Sequence, residues 1–463
     1  MANPLMDPIR LSSLIRKYDV PGPRYTSYPT VPYWSRVPTE AEWLGALRDA
    51  LARAQAHSEA ASVYVHLPFC ESLCTYCGCT TRITKNHGLA LPYVDTVLQE
   101  WALYRAALDQ EIPVGELHLG GGTPTFLSPD ELDRLVTGIL GTAAPAPEGR
   151  PMLSVEADPR VTTPAHLDRL ARLGFTRLSL GVQDFDPEVQ LAIHRVQSEA
   201  QVRAVVEGAR RLGFTSVNMD LVYGLPFQTA DSVEGTVLAI TRLRPDRIAF
   251  YGYAHVPWVK PGQRRYSDAD VPAGPEKRAL YELGRVRFLE EGYVEIGMDH
   301  FALPDDPLAV AQRNGTLHRS FMGYVERHCS PMFGLGMSAI GDAWTAFAQN
   351  EKDLERYAAR VQSGALPFFR GHLLDTEDEV LRRHVLELMT THKTTWASPP
   401  ETAYLASVPD RLREMAEDGL VELSPGSVAV RDAGRPFLRN ACLAFDARLQ
   451  RSAPETQIFS RTM

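Results

Sequence analysis

From residue 61 to about residue 255, short apolar runs alternate with amphipathic stretches six times over, and few folds accept that rhythm. The apolar runs predict strands at 62–67, 116–119, 152–157, 177–182, 216–222 and 247–254. Helical periodicity falls between them, near 91–109, 129–140, 164–173, 187–193, 199–212 and 230–243. Strands separated by helices cannot close as hairpins, so they pair in parallel through βαβ crossovers. Six units, against the eight of a closed barrel, predict an α/β partial barrel open on one side.

The loop after the first strand holds most of the chain's cysteines. Ser62-Val-Tyr-Val-His-Leu-Pro-Phe-Cys-Glu-Ser-Leu-Cys-Thr-Tyr-Cys-Gly-Cys79 breaks from strand at Pro68 and carries Cys70, Cys74, Cys77 and Cys79, four of six in all. A disulfide pair needs an oxidising compartment, and the opening Met-Ala-Asn-Pro-Leu-Met-Asp-Pro-Ile-Arg lacks the layout of a secretory signal. A structural zinc site usually draws on two separated ligand pairs, and here all four thiols share one short loop. The third reading is an iron–sulfur cluster held by thiolates. Cys-x3-Cys-x2-Cys is the spacing of the radical S-adenosylmethionine (SAM) proteins. In that pattern three thiolates hold three irons of a 4Fe–4S cluster, and SAM chelates the fourth. Cys79 lies outside the spacing and needs a separate explanation.

Other candidate site residues also fall at strand C-terminal ends, where barrel enzymes place their chemistry. Gly120-Gly-Gly-Thr-Pro-Thr125 follows the second strand, and its glycines let backbone approach a ligand closely. Glu156 and Asp158 share one face at the end of the third strand, Gln183 ends the fourth, and Asp220 interrupts the apolar fifth. A carboxylate buried there needs a partner, either a salt bridge inside the barrel or a ligand's hydroxyl or amine.

The flanking regions divide the chain into three. Residues 1–60 combine a Pro- and Tyr-rich strap, which cannot be helical, with an amphipathic helix from Glu40 to Ala56. Residues 61–370 form the partial barrel, its last third adding strands and Gly-rich turns that extend the sheet and cover the mouth. Residues 371–463 read as helices, a hairpin around Pro425-Gly426 and a further helix, a small, mainly helical, winged-helix-like lid. Wings suggest DNA, but acidic residues outnumber basic ones there and the whole chain carries −9, so no nucleic-acid partner is expected. No apolar run is long enough to span a bilayer, so a membrane role is not expected and a cytoplasmic protein is.

Taken together these residues resemble the oxygen-independent coproporphyrinogen III oxidases of haem biosynthesis, over nearly the whole chain from about Arg24. The resemblance rests on Arg24-Tyr-Thr-Ser-Tyr-Pro-Thr30, Tyr64-Val-His-Leu-Pro-Phe-Cys70, Cys77-Gly-Cys79, Gly120 to Thr125, Gly181-Val-Gln-Asp-Phe185, Tyr223-Gly-Leu-Pro226 and Gly297-Met-Asp-His-Phe301. It implies one 4Fe–4S cluster on Cys70, Cys74 and Cys77, and two SAM molecules. Tyr64, Gly121, Glu156 and Ile340 match the positions around the first SAM. Tyr76, Gly122, Thr123, Gln183, Arg195, Asp220 and Ala254 match those around the second; residue 76 is usually Phe in the family.

The implied reaction is oxidative decarboxylation of two propionates of coproporphyrinogen III to vinyl groups, giving protoporphyrinogen IX. A 5′-deoxyadenosyl radical takes a β-hydrogen, one electron leaves, and CO2 departs, with no protein base required. Carboxylate recognition calls for cations, and Arg24, Arg313, His318 and Arg319 are the candidates; each is by default a solvated surface charge. An electron donor of the flavodoxin or ferredoxin kind is implied, and a monomer is the family precedent. One segment departs from the family: Ser320-Phe-Met-Gly-Tyr-Val-Glu326 stands where Asn-Phe-Gln/Met-Gly-Tyr-Thr-Thr is usual. The rival readings are a haem chaperone of the same fold and another radical SAM enzyme acting on a tetrapyrrole. The chaperones usually lack both the fourth cysteine and the tyrosine-rich strap.

Overall fold

The computed structural model describes residues 8–462 apart from 148, 453 and 455. Its centre is a run of six parallel strands: β1 (Ala61–Leu67), β2 (Val114–Gly121), β3 (Met152–Ala157), β4 (Arg177–Gln183), β5 (Ser216–Tyr223) and β6 (Arg247–Gly252). Four flanking strands complete one edge and two the other. They are β7 (Val294–Gly297), β8 (His300–Ala302), β9 (Met332–Leu335), β10 (Ile340–Asp342), β11 (Ala346–Asn350) and β12 (Phe368–Leu373). The order across the sheet is β12-β11-β10-β9-β1-β2-β3-β4-β5-β6-β8-β7, so the two ends never pair and the barrel stays open. This is the expected α/β partial barrel. Every residue of β1 is buried, as in a parallel strand covered on both faces.

The helices start where the sequence supplies caps. The helices are α1 (Pro8–Tyr18), α2 (Glu40–Ala56), α3 (Ala90–Leu108), α4 (Pro129–Leu140), α5 (Pro164–Leu173), α6 (Pro187–Ala192), α7 (Glu199–Arg211), α8 (Ala230–Leu243) and α9 (Gly274–Glu290). Thr39, Ser128, Thr163, Ser198 and Thr229 each accept an N–H of the first turn, and α4, α5 and α6 open with proline. Such a cap contributes about 1 kcal/mol, and proline pre-sets the first turn's φ. The apolar faces of α3 to α8 then close on the sheet. Val63, Leu117, Leu180 and Val217 in the strands are fully buried beside Leu132, Leu170 and Val202 from the helices. Each such side chain contributes roughly 1.5–3 kcal/mol of burial.

A second core lies beyond the sheet. Leu381, Val385, Leu388 and Met389 of the helix Thr376–Thr391 meet Leu412, Val421, Val428, Phe437 and Phe445. Val421–Ser424 and Ser427–Val430 form the expected wing hairpin, with Gly426 at φ 72° in its turn. Sequence reading missed α1, although Leu11, Leu14, Ile15 and Tyr18 repeat at helical spacing. Leu14, Ile15 and Tyr18 belong to this second core, as do Tyr25 and Tyr28 of the strap. The strap's tyrosines therefore tie the N-terminal segment to the C-terminal one. Among the described residues no helix is long and apolar enough to cross a membrane.

Candidate active site

The six parallel strands deliver their C-terminal ends to one cavity of about 320 Å³. Cys70, Cys74, Cys77 and Cys79 line it from the loop after β1, Gly121, Gly122 and Thr123 from β2, and Glu156 and Asp158 from β3. Gln183 enters from β4, Arg195 from the turn after α6, and Asp220 from β5. The four thiols of the loop are not in disulfides.

Two loops hold each other at the thiols. The Gly122 N–H donates to Leu67 O at 2.7 Å and the Thr123 N–H to Phe69 O at 2.9 Å. A Cβ on Gly122 would sit 2.7 Å from the Pro68 backbone, and one on Gly121, at φ +108°, 2.6 Å from the His66 ring. Only glycine fits either place. His66 in turn bonds Thr80 O through Nε2 at 2.8 Å and the Tyr64 hydroxyl through Nδ1 at 3.1 Å.

The charges around the thiols are paired and only partly spent. Arg195 donates to Asp158 Oδ2 at 3.0 Å and Gly181 O at 2.5 Å, and its Nη1 lies 3.6 Å from Cys74 Sγ. Its Nε is buried with no partner. Arg160 grips the same carboxylate at 2.7 and 3.0 Å and reaches Cys74 Sγ at 3.7 Å. Burial pushes the Asp158 carboxyl up, but the charges of Arg195 and Arg160 outweigh it and hold the group below its ordinary range. Two guanidinium groups therefore turn an N–H toward the Cys74 sulfur. Cys77 is pushed down to about 6, first by a hydrogen bond from the Cys79 thiol and then by its backbone N–H, with help from Lys260 and Arg195. Cys70 is pushed up to about 11 by burial, against a 3.3 Å contact with the Thr123 hydroxyl.

Two carboxylates face the cavity with opposite tendencies. Glu156 accepts the Gly121 N–H at 3.1 Å and lies 3.4 Å from His118 Nε2; burial raises it, but His118 and the N–H together leave it lowered. Asp220 is raised to about 6 by burial and by the Glu156 charge, although Ser179 Oγ and Asn218 Nδ2 donate to it at 3.0 and 2.8 Å. The two can share a ligand rich in hydroxyl and amine donors.

Several expected residues stand outside this lining. Tyr64 is buried behind it, stacked on His118. Ile340 packs in one cluster with Trp34 and Phe347, and the Ala254 carbonyl accepts from Gln263 at 3.2 Å. Arg24 lies away from the thiols, held by Asp299 at 2.8 Å and Gly252 O at 2.8 Å. Arg313 is exposed and bonded to Pro304 O. His318 and Arg319 line a separate small cavity with Tyr28, Phe321 and Arg382. There Arg319 is buried with Nε and Nη1 unpartnered, its guanidinium 4.6 Å from the Tyr324 ring. Sequence reading missed Arg160, whose only signal is the Asp-Pro-Arg step past the end of β3. A larger groove of about 1070 Å³ between α1, α9 and residues 419–436 holds no thiol, so size does not mark the site.

Comparison with known proteins agrees with this geometry. The model of the Radical SAM superfamily matches residues 64–240. The chain is 40% identical to the oxygen-independent coproporphyrinogen III oxidase of Salmonella typhimurium over 97% of its own length and 98% of that protein's. The corresponding protein of Pseudomonas aeruginosa is 39% identical over 99% and 100% of the two chains. The solved structure of coproporphyrinogen III oxidase (HemN) from Escherichia coli, a radical SAM enzyme, superposes with a TM-score of 0.86 at 37% identity. It covers 94% of this chain and 98% of its own.

Proposed function

Given that the chain belongs to the oxygen-independent coproporphyrinogen III oxidase family, we propose that it converts two propionates of coproporphyrinogen III to vinyl groups, yielding protoporphyrinogen IX. The observation that carries this reading is the convergence of four thiols, two arginines and three carboxylates on one cavity at the strand ends. Membership in the radical SAM superfamily brings a 4Fe–4S cluster and SAM. When bound, these supply an electron and, from SAM, a 5′-deoxyadenosyl radical that removes a hydrogen atom from the propionate β carbon. The substrate then gives up one electron to an acceptor, and the Cα–carboxylate bond breaks to leave CO2 and the vinyl group.

Everything else falls to the chain's own residues, whose work is positioning and exclusion of water. Cys70, Cys74 and Cys77 would hold three irons. Glu156 and the backbone at Gly121, flanked by Tyr64 and Ile340, would take the first SAM. Tyr76, Gly122, Thr123, Gln183, Arg195, Asp220 and Ala254 would surround a second. Asp220, with its raised pKa and two donors already in place, suits a ribose hydroxyl. Among the candidate cations Arg319 fits a substrate carboxylate best, because it is buried with two N–H groups free of partners. A cluster with an open iron needs a reducing compartment and an outside electron donor, so we place the enzyme in the cytoplasm, as a monomer served by a flavodoxin- or ferredoxin-like carrier. Residues 1–60, 61–370 and 371–463 would act as strap, catalytic barrel and lid.

The test is anaerobic turnover of the iron-reconstituted protein with SAM, dithionite and coproporphyrinogen III. Two CO2 per porphyrinogen, with 5′-deoxyadenosine and methionine, is the expected result. Cluster binding and haem binding without loss of CO2 would replace the oxidase with a chaperone.

A further inference from the structure

Resting on the oxidase reading, we propose that the outer rim of the cysteine loop is the landing site for a small acidic one-electron carrier protein.

Three chain segments make this rim. The cysteine loop and the strand after it run from 70 to 86, the end of α6 and its turn from 189 to 198, and the loop after β6 from 254 to 267. They are tied together by hydrogen bonds. Thr75 N–H donates to Ile193 O at 3.0 Å, His194 Nδ1 lies 2.8 Å from Leu73 O, and Lys260 Nζ reaches Cys79 O at 3.4 Å. On their outward faces they leave large apolar side chains in water. Leu191 is 71% exposed, Val196 61%, Val259 58% and Trp258 51%, and Leu73 and Ile83 continue the collar to the cavity mouth. Scattered single exposures need no explanation, but six on three segments tied to one loop mark an interaction surface.

Charge says what kind of partner fits. The whole chain carries −9, yet on the outer side of these segments Arg82, Lys85, Lys260, Arg264 and Arg265 outnumber the acids Glu71 and Asp268, the latter facing His255 at 3.2 Å. Glu71 faces His87 at 3.1 Å, and Arg82 reaches Glu355 from outside the rim at 3.5 Å. Arg264 and Arg265 are exposed. An apolar centre with a basic fringe, on an otherwise acidic protein, is complementary to an acidic partner and steers its approach. Electron-transfer encounters are small and transient, which suits a collar of this size. Position favours electron delivery as well. The rim is the outer surface of the loop bearing the three thiols, so a docked carrier stands a short path from the cluster. The carrier's reduced centre loses one electron, the cluster gains it, and no bond changes.

The test compares two reductants on the reconstituted full-length enzyme. Trp258→Ser and the pair Arg264→Glu, Arg265→Glu alter the rim without touching the cavity lining. With dithionite, turnover should match wild type within about twofold. With a reduced acidic flavodoxin, the half-saturating carrier concentration should rise at least tenfold. Wild-type flavodoxin-driven turnover should also fall steeply between about 50 and about 300 mM salt, whereas dithionite-driven turnover should not. Unchanged flavodoxin kinetics in the variants, or equal losses with both reductants, overturns the proposal. So does flavodoxin that fails to drive wild-type turnover where dithionite succeeds. Absence of turnover with dithionite in the wild type would instead sink the oxidase reading beneath it.

Discussion

The barrel encloses two clusters of buried charge, one at each end of the same strands, and they are wired differently. At the N-terminal ends, Arg177 opens β4 and Arg247 opens β6. Arg247 binds both oxygens of Asp306 at 2.8 and 2.9 Å, Arg177 binds Glu326 at 2.9 Å, and Arg247 and Glu326 approach to 3.5 Å. This lower cluster is held by ion pairs, although Arg247 Nη2 and Glu326 Oε2 make no hydrogen bond, and its arginines line a cavity of about 150 Å³ beneath Glu156 and Asp220. At the C-terminal ends, Asp158, Arg160 and Arg195 also pair, but both guanidinium groups turn remaining N–H toward Cys74. Buried charge is therefore no mark of a site by itself. What marks the upper cluster is that its hydrogen bonding is aimed at thiols.

The largest expected effect lies at the thiols. Replacing Cys70, Cys74 or Cys77 by Ala should remove the cluster's absorbance, its iron and all turnover, while circular dichroism keeps the α/β signature. Cys79→Ala should retain the cluster with weakened iron occupancy, since its thiol supports Cys77 without belonging to the proposed ligand set. A Cys79 variant that loses the cluster as completely as Cys77→Ala would make it a ligand.

The two clusters separate next through their arginines. Arg195→Met should lower turnover by about 10²–10³, roughly 3–4 kcal/mol of activation free energy, with stability little changed because Arg160 still holds Asp158. Arg247→Met should do the reverse. It leaves Asp306, whose side chain is only 2% exposed, without its cation, at a cost of about 3–5 kcal/mol of stability. Turnover per folded molecule should stay within about twofold. Urea unfolding and active-site titration together measure the pair, and equal behaviour of the two variants would erase the distinction.

Much of this arrangement was legible in the sequence because strand ends and thiol spacing are local signals. The six parallel strands lie within a few residues of their expected places, and Gly121, Gly122, Glu156, Gln183 and Asp220 reach one cavity because each ends or follows a strand. Partnerships between distant segments carry no such signal. Nothing near Arg24 announces Asp299, and nothing near Arg177 announces Glu326. Arg160 and Arg195 come together only because the β3 and β4 loops fold over the same thiol. α1 was readable from its periodicity, but its apolar face packs on a core some 400 residues further along the chain.

A smaller effect should appear in the pH dependence of stability. In the folded chain Asp220 titrates at about 6, against an ordinary value of 3.8. Between roughly pH 4 and 6 the folded state holds a proton that the unfolded state has released, so this group's contribution falls as pH rises through that window. Asp220→Asn has nothing to titrate. Its stability relative to wild type should therefore increase across the window and level off above it, by about 1–2 kcal/mol once partial exposure is allowed for. Urea unfolding at pH 4.5 and pH 8 measures the difference; a constant offset at both would show that burial does not raise this carboxyl.

The smallest effect belongs to the departure from the family at Glu326. Threonine is usual there, and in this chain the glutamate supplies the carboxylate for Arg177 and a second one for Arg247. Glu326→Thr leaves the Arg247–Asp306 pair intact, removes the longer 3.5 Å contact to Arg247 and uncouples Arg177, whose side chain is 17% exposed and can draw on water. The cost should be about 1 kcal/mol of stability or less, well below that of Arg247→Met. Turnover should not change, because the lower cluster touches no thiol and lends no hydrogen bond to Glu156 or Asp220. A tenfold loss of activity in this variant, at unchanged iron content, would mean that the lower cluster communicates with the cavity above it. The two ends of the barrel would then have to be read as one charged site.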